Sequence, residues 1–543
     1  MPKPASTRSA YKMLTCIYLC RTLLFFAPYA DFLEKKINLI ECFEETVTKH
    51  SEKVAVWEGQ QSITFGLLKE NALRLAQVLV NNKDITCSPV AVFLPKSIRT
   101  VWVNLGITYS GNPYMNLDIK TPATRIQNIL TLIKPQAVIT DAVHVKTIEK
   151  IVSADVAIIN LDEISNALEY NYDTIMRRLS TLIDSDPYCI INTSGSTGTP
   201  KGVVLNHKSF FDFMVRSEEA FPLTNDEILG SLSPAVFDIY VYELCLLMSK
   251  SSTIVLIPDS LSAFPAAILK ILQEKKVTYI FWVPTIMVNI ANMGLLSQIE
   301  LPDLKIVWFA GEVFPTKQFN IWRESLPHVI FANLYGPIEI TLDCVFYIVR
   351  RKIKDEEPIP IGFAYKNTDI LILDEDNKRI TESNREGELC VRGTSLAMGY
   401  YNNPVKTAAA FVQNPLNNSY PETIYRTGDV VYINDLGEIV FKGRKDSLVK
   451  HMGYRIELGE IEHVIINTLK LIKNGCVVYN YAKKEITLYY EHPEEISPAV
   501  FRKTLSDSLP KYMIPSVFCR LDEIHRNTNG KIDRLYYKNL VNG

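Results

Sequence analysis

Thr193, Ser194, Gly195, Ser196, Thr197 and Gly198 follow one another directly, and after Thr199 and Pro200 the run ends on Lys201. Glycines without a Cβ let backbone N–H groups come close to an anion, and the hydroxyls add further donors. Lys201 brings a positive charge on a flexible stem. The set suits a polyphosphate. It is not the P-loop of nucleotide hydrolases, because Lys201 stands between Pro200 and Gly202 where that motif needs Gly before the lysine and Ser or Thr after it. The plain alternative is a surface loop, which seldom carries so many hydroxyls directly after an apolar strand. In NLYGPIEIT, residues 333–341, Gly336 and Pro337 make a turn that sets Tyr335 on one side and Glu339 on the other. A carboxylate near a polyphosphate suits Mg²⁺, although by itself Glu339 reads more often as a solvated loop acid. In YRTGD, residues 425–429, Asp429 is expected to end a turn after a strand. Acids placed so accept ribose hydroxyls in dinucleotide folds.

The elements that must hold these groups follow from the hydrophobic pattern. LIECFEETVTKH has helical spacing, VAVWE reads as a strand, and SITFGLLKENALRLAQVLVNN as a strand running into an amphipathic helix. VAVFLP, QAVIT, VAIINL, YCIINTSG, TIVLIP, VTYIFWVP, KIVWFAG and HVIFANLYG are strand-like runs, most of them separated by helical stretches. This alternation predicts an α/β fold with a large N-terminal lobe of helix-covered, mostly parallel sheets. After about Pro360, TDILILDEDN, GELCVRG and DVVYINDLGEIVFKG predict a β-rich subdomain. Beyond Gly443 a small α+β segment is expected, with IELGEIEHVIINTLK as one helix, CVVYNYAKKEITLYYE as a hairpin and SPAVFRKTLSDSLP as another helix.

Two further stretches, GRKDSLVKHMGYRIELGEIE (443–462) and NGKIDR (529–534), follow the first three in order. With ITFGLL (63–68), PYMNLDIKTPATRI (113–126), FDIYVYE (237–243) and GELCVRG (387–393), the chain from about Ile37 to Arg534 resembles the adenylate-forming superfamily. It is similar to the amino-acid adenylation domains of nonribosomal peptide synthetases and to stand-alone D-alanine:carrier-protein ligases. The resemblance implies that ATP and a carboxylate give an acyl-AMP and pyrophosphate, and that the acyl group then passes to a thiol. It implies an uncertain N-terminal extension at 1–36, a core domain at 37–445 and a mobile C-terminal domain at 446–543 that turns on a hinge at Asp446. Lys531 would bridge the substrate carboxylate and the α-phosphate, and Glu339 would hold Mg²⁺. Residues 193–201 would grip the β- and γ-phosphates. Asn333, Tyr335 and Gly336 would lie by the adenine, and Asp429 would take the ribose hydroxyls with Arg444 beside it. The turn around Gly453 would be presented to the thiol.

Asp238, in FDIY, falls where amino-acid-activating members place the acid for the α-ammonium. Counting along the family pattern lines the side-chain pocket with Ile239, Tyr242, Phe281, Trp308, Ala310, Leu334, Leu342 and Asp343. The aromatics leave room for a small side chain, whereas a second buried acid favours a polar or cationic one. GEVFP (311–315) is similar to the matching stretch of D-alanine ligases and ranks D-alanine first. Ile338 stands in place of a usual threonine and Leu448 in place of a usual glutamine. The rival readings are an acyl-CoA ligase for a non-amino acid and a nucleotide-binding regulator that has lost turnover.

The rest of the sequence narrows the class. Apolar residues make up 47% and charged residues 22%, with a net charge of −2 and no long basic run, which speaks against a nucleic-acid partner. Ten cysteines show no CxxC pair and no clustering with the eight histidines, as expected of reduced cytosolic thiols. MLTCIYLCRTLLFFAPYA mimics a secretion signal, but Arg21 interrupts it and it is too short to span a bilayer. A cytoplasmic enzyme without stable membrane insertion is expected. Only LYYKNLVNG follows Arg534, so the phosphopantetheine thiol is expected on a separate carrier protein.

Overall fold

The computed structural model describes residues 36–83, 85–165, 167–194, 200–445, 448–526 and 532–543. The expectations for Gly195, Ser196, Thr197, Gly198, Asp446 and Lys531 therefore lie outside the described residues.

Two sheets form the large lobe. A nine-stranded sheet has a parallel centre, Ile330–Tyr335, Ile306–Phe309, Tyr279–Trp282, Ile228–Ser231, Thr253–Leu256 and Val54–Glu58, with antiparallel strands at both edges. A seven-stranded sheet runs Gly399–Tyr400, Lys201–Asn206, Pro187–Thr193, Tyr114–Asn116, Val90–Val92, Ala137–Thr140 and Ala157–Asn160. Strands such as Tyr279–Trp282 and Ile306–Phe309 are buried along their whole length, as expected for parallel strands covered on both faces. Helices start where the sequence offers caps. Asn38, Thr64 and Ser97 each accept a first-turn N–H, from Glu41, Leu67 and Thr100.

The β-rich part is a five-stranded antiparallel sheet built on Thr368–Leu373, Gly387–Gly393, Thr423–Ile433 and their neighbours. Asp429 does not end a turn here. It lies inside the strand Thr423–Ile433, where Gly428 at φ +71 and a register shift at Val430/Val431 turn the chain without stopping it.

The C-terminal residues form a hairpin, Leu448–His451 with Tyr454–Glu457, and a three-stranded sheet around a separate apolar core that includes Val449, Ile456, Ile461, Leu488 and Phe501. The expected helix over IELGEIEHVIINTLK is divided. Its first residues are strand, because Ile456 is buried opposite Val449. An α-helix follows at Leu458–His463, and then a π-turn at Val464–Thr468. No helix among the described residues is long and apolar enough to cross a membrane.

Candidate active site

Thr193, Asn333, Tyr335, Gly336 and Glu339 lie at or just beyond the carboxyl ends of parallel strands, the usual ligand position in open α/β sheets, and Asp429 and Arg444 come from the antiparallel sheet. Thr193 ends the strand Pro187–Thr193 and pairs with Lys201, so the hairpin register brings the two ends of the glycine-rich stretch together. The hydroxyl of Thr193 and both side-chain polar atoms of Asn192 are buried without a hydrogen-bond partner among the described residues. Each such orphan costs about 1–3 kcal/mol, which a polar ligand would recover. The Lys201 ammonium lies 5.0 Å from the centre of the Tyr400 ring. Burial lowers its pKa, and nearby Arg455 lowers it further.

Glu339 sits in the short turn Ile338–Ile340 and is fully buried. Tyr400 donates to its Oε1 at 2.8 Å, and Arg455 Nη1 donates to its Oε2 at 2.5 Å. Burial by itself would raise the carboxyl pKa, but the charges of Arg455 and Lys201 outweigh it and hold it at about 2. Among the described residues no three His, Cys, Asp or Glu side chains gather as a metal cage. One hard, permanently anionic oxygen donor still fits Mg²⁺, which takes few protein ligands and completes its shell from phosphate and water.

Asp429 accepts hydrogen bonds from the Tyr335 hydroxyl and from Arg444, whose guanidinium also reaches the carbonyl of Thr427 at 2.9 Å. Asn333 Nδ2 donates to the carbonyl of Pro360 at 2.9 Å, which ties the end of its strand to the next loop. Gly336 is required for packing. A Cβ there would lie 2.1 Å from the Leu342 carbonyl oxygen and 2.5 Å from Asp343 Cα.

Asp238 is the first residue of the helix Asp238–Lys250, and its Oδ1 accepts the N–H of Ile239 at 2.9 Å. Burial pushes its carboxyl pKa up to about 6, against the pull of that N–H and of Lys450. The loop before it is anchored by Lys96, which donates to the carbonyls of Ser231 at 2.9 Å and Ser233 at 2.7 Å. Ile239, Tyr242, Phe281, Trp308, Ala310, Leu334, Leu342 and Asp343 are all buried. Trp308 stacks on Tyr242 with centroids 5.7 Å apart and meets Phe281 edge-on at 5.5 Å. The Tyr242 hydroxyl is engaged with Ser217 at 2.9 Å.

Several residues of the site were not singled out from the sequence, and two of them are cations. The hairpin 448–457 enters the cleft, and Lys450 and Arg455 are cross-strand partners on it. Like charges placed directly opposite repel, by roughly 0.2–1 kcal/mol, so their pairing is the signal that anions must face them. Arg455 meets Glu339. Lys450 lies 5.8 Å from the Tyr335 ring centre, and burial lowers its pKa while Asp429 and Asp343 resist the shift. Ser194 donates to the Arg455 carbonyl at 2.5 Å and accepts from the Glu457 N–H at 3.1 Å. Gly453, at φ +82, donates its N–H to Glu312 at 2.7 Å, and Tyr454 stacks on Tyr512 with centroids 3.6 Å apart. Glu312 belongs to GEVFP, so that stretch holds the hairpin turn at Gly453.

Residues 43–401 match the family model of the AMP-binding enzymes. The chain is 30% identical over 502 residues to zwittermicin A synthase ZmaJ of Bacillus cereus, covering 91% of this chain and 93% of that protein. It is 31% identical to tyrocidine synthase 1 of Brevibacillus parabrevis, covering 93% of this chain but only 45% of that longer protein. Among solved structures, the Vibrio cholerae adenylation domain AlmE, crystallised with glycyl-adenosine-5'-phosphate, superposes with a TM-score of 0.79 at 19% identity over 93% of this chain and 98% of that one. That likeness shows the shared fold.

Proposed function

Because this chain belongs to the AMP-binding, adenylate-forming enzymes, we propose that it activates an amino acid as its aminoacyl-AMP and passes the acyl group to the phosphopantetheine thiol of a carrier protein. The observation that supports an amino acid is Asp238, an acid at the start of the helix Asp238–Lys250 with its pKa raised to about 6 by burial and no ion pair among the described residues. A substrate ammonium would supply the missing charge.

Joining a carboxylate to a triphosphate brings like charges together, so oriented cations and donors do most of the work. Thr193, Ser194 and Lys201 bind the β- and γ-phosphates, and the orphaned Thr193 hydroxyl is satisfied there. Asp429 accepts the ribose hydroxyls, held in place by Arg444, and Tyr335 borders the adenine. Glu339 would hold Mg²⁺, which when bound neutralises phosphate charge. Lys531, from the C-terminal domain that we divide from the core at 446, bridges the two reacting anions.

On this reading, the arrangement with the hairpin 448–457 in the cleft belongs to the second half of the reaction. Arg455 donates to one carboxylate oxygen of Glu339, and Lys450 feels the charge of Asp429. The hairpin therefore enters after pyrophosphate has left, and its Gly453 turn, latched on Glu312, borders the thiol's approach. Pyrophosphate exchange into ATP, run over both enantiomers of the common amino acids and a few simple acids, tests the reading. Exchange with at least one amino acid, largely lost in Asp238→Asn, is expected. No exchange with any amino acid, or exchange with a simple acid that Asp238→Asn leaves untouched, would overturn it. D-alanine belongs in that panel on the strength of GEVFP.

A further inference from the structure

Arg125 lies on the helix Ala123–Ile133 of the large lobe and Glu460 on the C-terminal helix Leu458–His463. They stand 335 residues apart in the chain, and the guanidinium of the first donates to the carboxylate of the second. Arg125 is 8% exposed and Glu460 is 0% exposed. Each charge sits on an element committed to a different core. Ile126, Ile129 and Leu130 join the apolar cluster of the seven-stranded sheet, whereas Leu458 and Ile461 join the separate C-terminal cluster. The pair therefore bridges two cores. Parting a buried ion pair leaves each charge uncompensated, so the pair favours the arrangement that closes it.

The contacts around it lie on the same boundary. The Thr124 hydroxyl donates to the Asp507 carbonyl at 3.0 Å, and Phe237 meets Tyr454 edge-on at 5.0 Å. They extend to the nucleotide side. The cavity beside Asn192 and Thr193 is about 70 Å³, with Arg125, Tyr454, Arg455 and Tyr512 among its walls. With the pair closed, Arg455 engages Glu339, and the Ser194 hydroxyl is held by the backbone of Arg455 and Glu457. Glu339 and Ser194 are groups that the proposed first half-reaction needs for Mg²⁺ and phosphate. Arg125 and Glu460 themselves belong to neither set.

We propose that Arg125 and Glu460 form a latch that holds the C-terminal hairpin in the cleft, so that ATP with Mg²⁺ binds at the expense of the pair and thiol transfer depends on its re-forming. This rests on the adenylation reading above. Both are positioning residues, acting through Arg455, Ser194 and the Gly453 turn. Such a latch lowers the apparent affinity for ATP by the fraction of molecules in which it is open. Weakening it must tighten ATP and slow thiol transfer together, a pair of opposite effects that simple loss of packing does not produce.

The test is calorimetric titration of the full-length protein with ATP and Mg²⁺. Glu460→Gln and Arg125→Gln should each tighten ATP about fivefold or more. The charge swap Arg125→Glu with Glu460→Arg should return the affinity to within about twofold of wild type. Transfer to pantetheine, from the supplied aminoacyl-AMP of the amino acid that exchanges best, should slow about tenfold in both single variants and recover in the swap. In the wild type, the amides of Leu458–His463 should exchange hydrogen faster once ATP and Mg²⁺ are added. Unchanged or weaker ATP binding in the single variants overturns the proposal, and so does thiol transfer at the wild-type rate. Unchanged or slower amide exchange in the wild type overturns it without recourse to a variant. Absence of ATP binding in the wild type overturns instead the reading on which the proposal rests.

Discussion

The nucleotide side and the acyl side of the cleft treat their acids in opposite ways. Glu339 and Asp429 each have a guanidinium and a tyrosine hydroxyl, and Glu339 is held ionised at about 2. Asp238 and Asp343 have no ion pair among the described residues, and burial drives both carboxyl groups upward. A paired acid is finished within the protein and serves as a fixed anchor, whereas an unpaired one is completed only by what binds. The first kind suits a constant co-substrate, and the second suits the substrate that must be told from its rivals.

That contrast can be broken at either end. The largest effect is expected from Glu339→Gln, which removes the anchor for metal: pyrophosphate exchange should fall about 100-fold or more, and added Mg²⁺ should restore little of it. Asp238→Asn should raise the KM for the amino acid roughly 30-fold with a smaller change in kcat, the worth of one charge-assisted bond. In the wild type the same KM should fall as pH rises through about 6, where Asp238 ionises, and the variant should show no such slope. Lys450→Met should slow transfer to the thiol about tenfold more than it slows exchange, measured by supplying aminoacyl-AMP directly. The smallest effect concerns stability. An acid whose pKa is raised in the folded state binds more protons there than in the unfolded chain, so it costs stability progressively as pH rises above the unfolded value. Asp343→Asn should accordingly raise the Tm of the ligand-free protein by about 1–2 °C at pH 8 and by almost nothing at pH 4. A loss at pH 8 would mean that Asp343 has an internal cation and belongs with the paired acids.

The large lobe was legible because parallel strands buried on both faces must read as continuous apolar runs, as VTYIFWVP and KIVWFAG do. The acids were legible because turns announce them, Glu339 after Gly336-Pro337 and Asp429 after Gly428. Their partners were not. Tyr400 reaches Glu339 across 61 residues and Arg455 across 116, and no local pattern reports such distances. Asp429 was misplaced at the end of a turn because a glycine inside a strand looks the same as a glycine that stops one. The helix at 458 began late because IELGEIE offers no side-chain cap, while the apolar alternation of the preceding hairpin claimed Ile456.

On the proposed function, the hairpin with its two opposed cations would also set the order of events. Alone in solvent, Lys450 and Arg455 repel across the ladder, and they rest easily only against the acids of the cleft. On the function proposed above, pyrophosphate, itself a polyanion, would compete for that same cleft and hold the hairpin out. The pace of the proposed thioester formation would then be tied to how quickly the surroundings clear the first product.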